Sequence, residues 1–205
     1  MPFSRQQPSP RYRDLMELYR RLHVEGEKFL GLQPEATYPG ISLMPHLGRI
    51  KQLIVETGAK TILDYGSGKG IQYEPQRIAL PGRGEWDGVL DYWDVDEVRC
   101  YDPCYEPYSR LPEECFDGVV CTDVLEHCPE EDLRWIVNET FSFATRFVYA
   151  GVACYPAKSR LPNGENAHCT VRPPQWWRDL FEEIAPAHPG VKWSLSFAEP
   201  SRGSK

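Results

Sequence analysis

The stretch 60–73, KTILDYGSGKGIQY, constrains this chain more than any other. Its apolar run, 60–65, is too short for a helix and reads as a buried parallel strand. Gly66, Gly68 and Gly70 follow at once, alternating with Ser67 and Lys69. Glycines in that rhythm let the backbone turn sharply and let another group come close without Cβ atoms in the way. A buried strand running into such a turn calls for a sheet whose connections pass through helices.

The rest of the pattern agrees. Leu15, Leu18, Tyr19, Leu22 and Phe29 recur at near-helical spacing over 11–30. A second helix is expected over 46–57, stopped by Gly58. Strands are expected at 98–102, at 116–123 (FDGVVCTD) and at 146–154. Helices are expected at 129–144, with Pro129 and acids at its start, and at 173–184. The segment 71–97 is harder to read: 72–79 suggests a helical turn or two, LPGRG breaks it, and EWDGVLDYWDV suggests a short helix. Nineteen prolines fit long ordered loops at 31–45 and 155–170. The last apolar segment, 191–199, alternates, so it is expected to be half-exposed and antiparallel. Together these predict an α/β fold, a Rossmann-like, mostly parallel sheet with helices on both faces. The expected organisation is an N-terminal helical cap over 1–58, a core over 59–199 and a tail over 200–205. At 205 residues this is one domain overall.

Charge and cysteine content narrow the partners. A net charge of −7 disfavours nucleic acid over the whole surface. Nothing resembles a secretory leader or a membrane span, so a cytoplasmic protein without membrane contact is expected. Seven cysteines with no C-x-x-C pair fit free thiols in a reducing compartment. No metal is expected, because the close ligand pairs of zinc sites are missing around Cys100 and Cys104.

The glycine loop admits three readings on its own. A nucleotide-kinase phosphate loop needs G-x-x-x-x-G-K-[ST]. Here Leu63 stands where the first glycine belongs, and Gly70 where the hydroxyl belongs. A dinucleotide fingerprint, G-x-G-x-x-G, is one residue longer than Gly66, Gly68 and Gly70 provide. The third reading is a tight turn with no ligand. Two acids weigh against it. Asp64 ends the strand and can orient a cationic group; Asp102 ends the next strand, where an acid accepts from ribose hydroxyls. Asp102 lies farther along than the about 20 residues usual for that role, so 71–97 must loop out. Asp94 and Asp96 are weaker candidates for the same role.

With these residues in place the chain resembles the class I S-adenosylmethionine-dependent methyltransferases, in their small-molecule, type 11-like branch. ILDYGSGKG looks like their first motif and CYDP like the acidic end of their second strand. LPEECFDGVVCTDVLEHCPEEDL is the closest match. GVACYP and ENAHCTVRPPQWWRDLFEEI are similar to the fifth strand and the segment after it. The resemblance spans about residues 60–185. It implies that Asp64, Gly66, Ser67, Gly68 and Gly70 contact the methionine part of S-adenosylmethionine. Asp102 and Pro103 would hold the ribose. Arg110, Leu111 and Pro112 would lie at the adenine, with Thr122, Asp123 and Val124 lining the cofactor. Lys69, the long 71–97 segment and the short C-terminus depart from the family pattern.

The activity implied is transfer of a methyl group to oxygen, nitrogen or sulfur of a small polar metabolite, by in-line displacement. Such a step needs alignment and exclusion of water, and a base only if the acceptor carries a proton. His168, Tyr155 and His127 are the candidate catalytic residues, with Asp123 behind them. Glu165 and Asn166 are candidates for contact with a polar acceptor. Of the adjacent Trp176 and Trp177, one is expected in the core. Tyr12, Tyr19, His23 and Tyr38 are placed to form a lid. The same motifs also admit a non-catalytic cofactor-binding or partner-activating protein, or an RNA or protein methyltransferase. A monomer or homodimer is expected.

Overall fold

The computed structural model describes residues 2–75, 77–80 and 84–198. Helix α1 (Pro10–Glu25) comes first, then α2 (Leu47–Thr57) and β1 (Thr61–Tyr65). Strands β2 (Ile78–Leu80) and β3 (Gly84–Trp86) form a small antiparallel hairpin, followed by α3 (Val89–Trp93) and β4 (Glu97–Tyr101). Then come β5 (Phe116–Thr122), α4 (Glu130–Phe143), β6 (Ala144–Ala153), α5 (Pro174–Ile184) and β7 (Lys192–Ala198).

The main sheet runs in the order β4-β1-β5-β6-β7, and every pairing in it is parallel. Both faces are covered. Ile62 and Val120 pack with Leu47, Ile50, Ile54 and Trp93, so α2 and α3 hold one face. Leu63, Val119 and Cys121 point the other way, to Leu133, Ile136, Phe141, Trp177 and Phe181 of α4 and α5. Side chains alternate across a strand. With both faces buried, most central positions are apolar, Ile62 and Leu63 in β1 and Val119, Val120 and Cys121 in β5, with Asp64 a buried exception.

The C-terminal strand corrects the sequence expectation: β7 is parallel, not antiparallel. α5 carries the chain back across the sheet, so β7 starts beside Phe147 at the same end as β6. It is an edge strand with a half-exposed burial pattern. Trp193, Leu195 and Phe197 pack against the core on the α4 and α5 side while Lys192, Ser194 and Ser196 alternate with them. Unequal cover of the two faces thus gives a parallel strand the pattern expected of an antiparallel one. Residues 72–79 also differ. Ile71–Tyr73 is a single 3-10 turn, and Ile78 then enters the hairpin. The tail expected at 200–205 lies outside the described residues.

Helix α1 is docked at the ends of the strands. Ser9 caps it, its hydroxyl accepting from the Tyr12 N–H at 2.9 Å. The Ser9 N–H donates to Asp132 of α4 at 3.0 Å. Leu15 and Leu22 are buried with Cys104, Leu161 and Ala167, from the loops after β4 and β6. Burying each leucine contributes about 1.5–3 kcal/mol, enough to hold the helix across those loops.

Candidate functional site

The chain leaves β1 in one direction to β4, while β5 leads away to β6 and β7. Connections that diverge in this way open a crevice at the C-terminal ends of the central strands. A cavity of about 640 Å³ lies there, within the about 300–1,000 Å³ range of small-molecule sites. Gly66 and Gly68 after β1, Asp102 and Pro103 after β4, and Thr122, Asp123 and Val124 at β5 form its floor. Tyr12, Tyr19, His23 and Tyr38 line it from the N-terminal segment. Tyr155 and His168 line it from the long loop after β6, and His127 from the 3-10 turn Leu125–His127.

The glycine rhythm has a conformational cause. Gly66, Gly68 and Gly70 have φ of +87°, +58° and +68°, a region L side chains avoid. A Cβ on Gly66 would sit 2.3 Å from Val124 Cγ2, and one on Gly68 2.2 Å from the Tyr38 carbonyl oxygen. The loop is therefore packed from both sides by the chain itself. Its N–H groups are also engaged. Gly66 donates to the Tyr101 carbonyl at 2.7 Å and Gly68 to Asp102 Oδ2 at 3.0 Å. Asp102 Oδ1 accepts from the Cys104 N–H at 2.8 Å. Asp102 thus ties the first loop to the second. Burial raises its pKa, while those backbone donors oppose the rise.

Asp64 is turned elsewhere. It is buried, and its Oδ2 accepts from Tyr73 Oη at 2.8 Å and Gln72 Nε2 at 3.1 Å. Burial pushes its carboxyl up to about 7 against those two hydrogen bonds. Asp64, Ser67, Gly70 and Leu111 are not among the cavity-lining residues. Leu111 packs against the core under α4, and Arg110 is exposed beside Glu113. Asp94 pairs with Lys60.

Lys69 neither faces the cavity nor points freely to water. Its Nζ donates to the Thr37 carbonyl at 2.9 Å, lies 3.1 Å from His23 Nδ1, and sits 5.2 Å from the Tyr105 ring centroid. Its own N–H donates to the Tyr38 carbonyl at 2.8 Å. Lys69 therefore fastens the segment after α1 onto the glycine loop. Nothing in the sequence marks residues 37–38 as its partners.

The cavity wall also gathers Asp123, His127, His168 and Tyr155. Asp123 has φ +60°, an uncommon conformation for a non-glycine residue and one that recurs at functional sites. His168 Nδ1–H donates to the Tyr155 carbonyl at 2.6 Å. His127 Nδ1–H donates to the Ala167 carbonyl at 3.1 Å, with the Tyr19 hydroxyl 2.8 Å away. Burial holds the His127 imidazole neutral, its pKa lowered to about 4. Asn166 braces the loop, its Oδ1 accepting from the N–H groups of Ala157 and His168. Glu165 instead pairs with Arg11. Trp177 is in the core, and Trp176 packs at its edge.

Sequence reasoning missed Glu126. It is fully buried, and its Oε1 accepts from the Ala153 N–H at 2.5 Å. Its one visible signal is an acid between Asp123 and His127 at a strand end. All seven cysteines are free thiols. Among the described residues no helix is long and apolar enough to cross a membrane. Comparison of the chain with protein-family models, with curated proteins and with solved structures finds no match.

Proposed function

We propose that the chain is an S-adenosylmethionine-dependent methyltransferase acting on oxygen, nitrogen or sulfur of a small polar metabolite. One observation carries this reading: Gly66, Gly68, Asp102 and Asp123, from three strand ends, line one cavity at the switch point. The character of the walls supports it. Glu27, Asp102 and Asp123 bring carboxylates, while Lys158 is the one Lys or Arg among the described lining residues. Such walls suit a ligand with hydroxyls and positive charge better than one bearing phosphates. Lys69, the residue that hints at phosphate, is bound to Thr37.

Gly66, Gly68, Asp102, Pro103, Thr122, Asp123 and Val124 would hold S-adenosylmethionine, which supplies an activated sulfonium methyl. Asp102 is suited to the ribose, because a carboxylate has about four acceptor positions, and Gly68 and Cys104 leave capacity for ribose hydroxyls. Tyr38 fits as well, since its hydroxyl is buried without a partner on the cavity wall. The chain's own groups then act in three ways. Tyr12, Tyr19 and Tyr38 cover the cavity and exclude water. The acceptor is oriented between the glycine loop and the loop carrying His168. His168 donates from Nδ1, so its Nε2 lone pair is free to accept a hydrogen bond or a proton from the acceptor.

Thermal unfolding with S-adenosylmethionine, S-adenosylhomocysteine and ATP–magnesium tests the reading. At 100 times the dissociation constant, either sulfur ligand should stabilise the protein by about 2.7 kcal/mol. Stabilisation by ATP–magnesium alone would overturn the proposal. Turnover against a panel of small acceptors separates an enzyme from a binding protein.

A further inference from the structure

On the cavity wall, Asp123, His127 and His168 each offer one donor atom, and the three atoms lie within 4.8 Å of one another. His168 Nε2 is 3.9 Å from Asp123 Oδ1. Both imidazoles have Nδ1 engaged by a backbone carbonyl, Ala167 for His127 and Tyr155 for His168. For His168 the carbonyl fixes the tautomer and leaves Nε2 as the donor, as in metal-ligating histidines. At His127 the Tyr19 hydroxyl, which donates to the Ala167 carbonyl at 2.6 Å, also lies 2.8 Å from Nδ1, so the Nδ1 edge is engaged there too. The two rings stand at 90° with centroids 4.7 Å apart, so they converge without stacking.

A second observation comes from Glu126. Its Oε1 is satisfied by the Ala153 N–H, but its buried Oε2 has no partner. Glu126 precedes His127 in the 3-10 turn Leu125–His127, at the end of the strand that carries Asp123.

We propose that Asp123, His127 and His168 bind one divalent first-row transition ion, with the Glu126 carboxylate beside it. Two imidazoles and a carboxylate, without thiolate, suit manganese, iron, cobalt, nickel or zinc better than calcium or magnesium. Metal–ligand bonds of about 2.1 Å bring neighbouring donors to roughly 3.0–3.4 Å. The His168–Asp123 edge, 3.9 Å here, therefore closes by roughly 0.5–0.9 Å on binding. Asp123 has the freedom for this, its side chain being 47% exposed. Three protein ligands leave positions open toward the cavity, as in sites that hold a reactive group and unlike closed structural sites. With the ion bound, it would polarise an acceptor oxygen in place of the proton-accepting role that His168 Nε2 has in the metal-free site. Only that last step rests on the methyl-transfer reading; the metal site stands on its own ligands.

The test is titration of chelator-treated full-length protein with Co²⁺, followed by visible absorption and calorimetry. One equivalent should bind, giving d–d bands without the thiolate charge-transfer bands that cysteine ligation would produce. Asp123→Asn and His168→Ala should each weaken binding at least tenfold. Asn tolerates the left-handed backbone at 123, so Asp123→Asn keeps the test decisive if His168→Ala fails to fold by circular dichroism. Absence of Co²⁺ binding, thiolate bands, or wild-type affinity in Asp123→Asn would each overturn the proposal.

Discussion

Replacing Asp64 by Asn should change how stability depends on pH. The folded carboxyl has a pKa of about 7, raised by burial. In the unfolded chain it is about 3.9. A raised folded value means the folded state binds the proton more tightly. The stabilising effect is thus complete below about pH 3.9 and is lost as pH rises to about 7, after which it is flat. At about 1.36 kcal/mol per unit, the full loss is about 4 kcal/mol. Between pH 5 and 8 the remaining part is about 2.5 kcal/mol. Asn is neutral throughout and lacks this slope. Urea unfolding of both proteins at pH 5, 6, 7 and 8 should show Asp64→Asn gaining about 2.5 kcal/mol on wild type over that window. Groups that titrate alike in the two proteins cancel in the difference. Parallel pH profiles would refute the reasoning, because an Asp64 buried against Gln72 and Tyr73 cannot titrate as an exposed carboxyl.

Three further outcomes follow from the loop and the segment that covers it. Gly68→Ala puts a Cβ 2.2 Å from the Tyr38 carbonyl oxygen at φ +58°; the αL conformation alone costs about 1–2 kcal/mol, and urea unfolding should show at least that loss. Lys69→Met removes the donor to Thr37 and the contact with His23; a loss of about 1.5 kcal/mol is expected, with faster amide exchange concentrated in the segment after α1. Tyr38→Phe deletes a buried hydroxyl that has no partner, so it should leave stability unchanged or raise it by up to about 1 kcal/mol while weakening cofactor binding in calorimetry.

Much of the fold was legible because both faces of the sheet are covered. Burial on both sides makes the centres of β1 and β5 mostly apolar, and caps such as Gly58 mark where helices stop. The direction of β7 was not legible, since an edge strand shows the same half-exposure in either direction. The hairpin of β2 and β3 was missed because strands of three residues are too short to show a period. In the site, chain order placed the loops after β1, β4 and β5 together, and with them Gly66, Asp102 and Asp123. Side-chain direction was another matter. Asp64 and Lys69 sit in the most informative motif, yet one faces Gln72 and Tyr73 and the other holds Thr37. Those partners are set by tertiary packing, which no local spacing encodes. The meeting of His127 with His168 is likewise a product of the loop after β6 folding back onto the end of β5.

The central claim is that the cavity beneath α1 holds S-adenosylmethionine. A crystal structure grown with S-adenosylhomocysteine tests it most directly. The ligand should lie against Gly66 and Gly68, its ribose hydroxyls bonded to Asp102 and its sulfur turned toward Asp123 and His168. Density for the ligand elsewhere, or an empty cavity at a concentration that saturates binding in solution, would contradict the account.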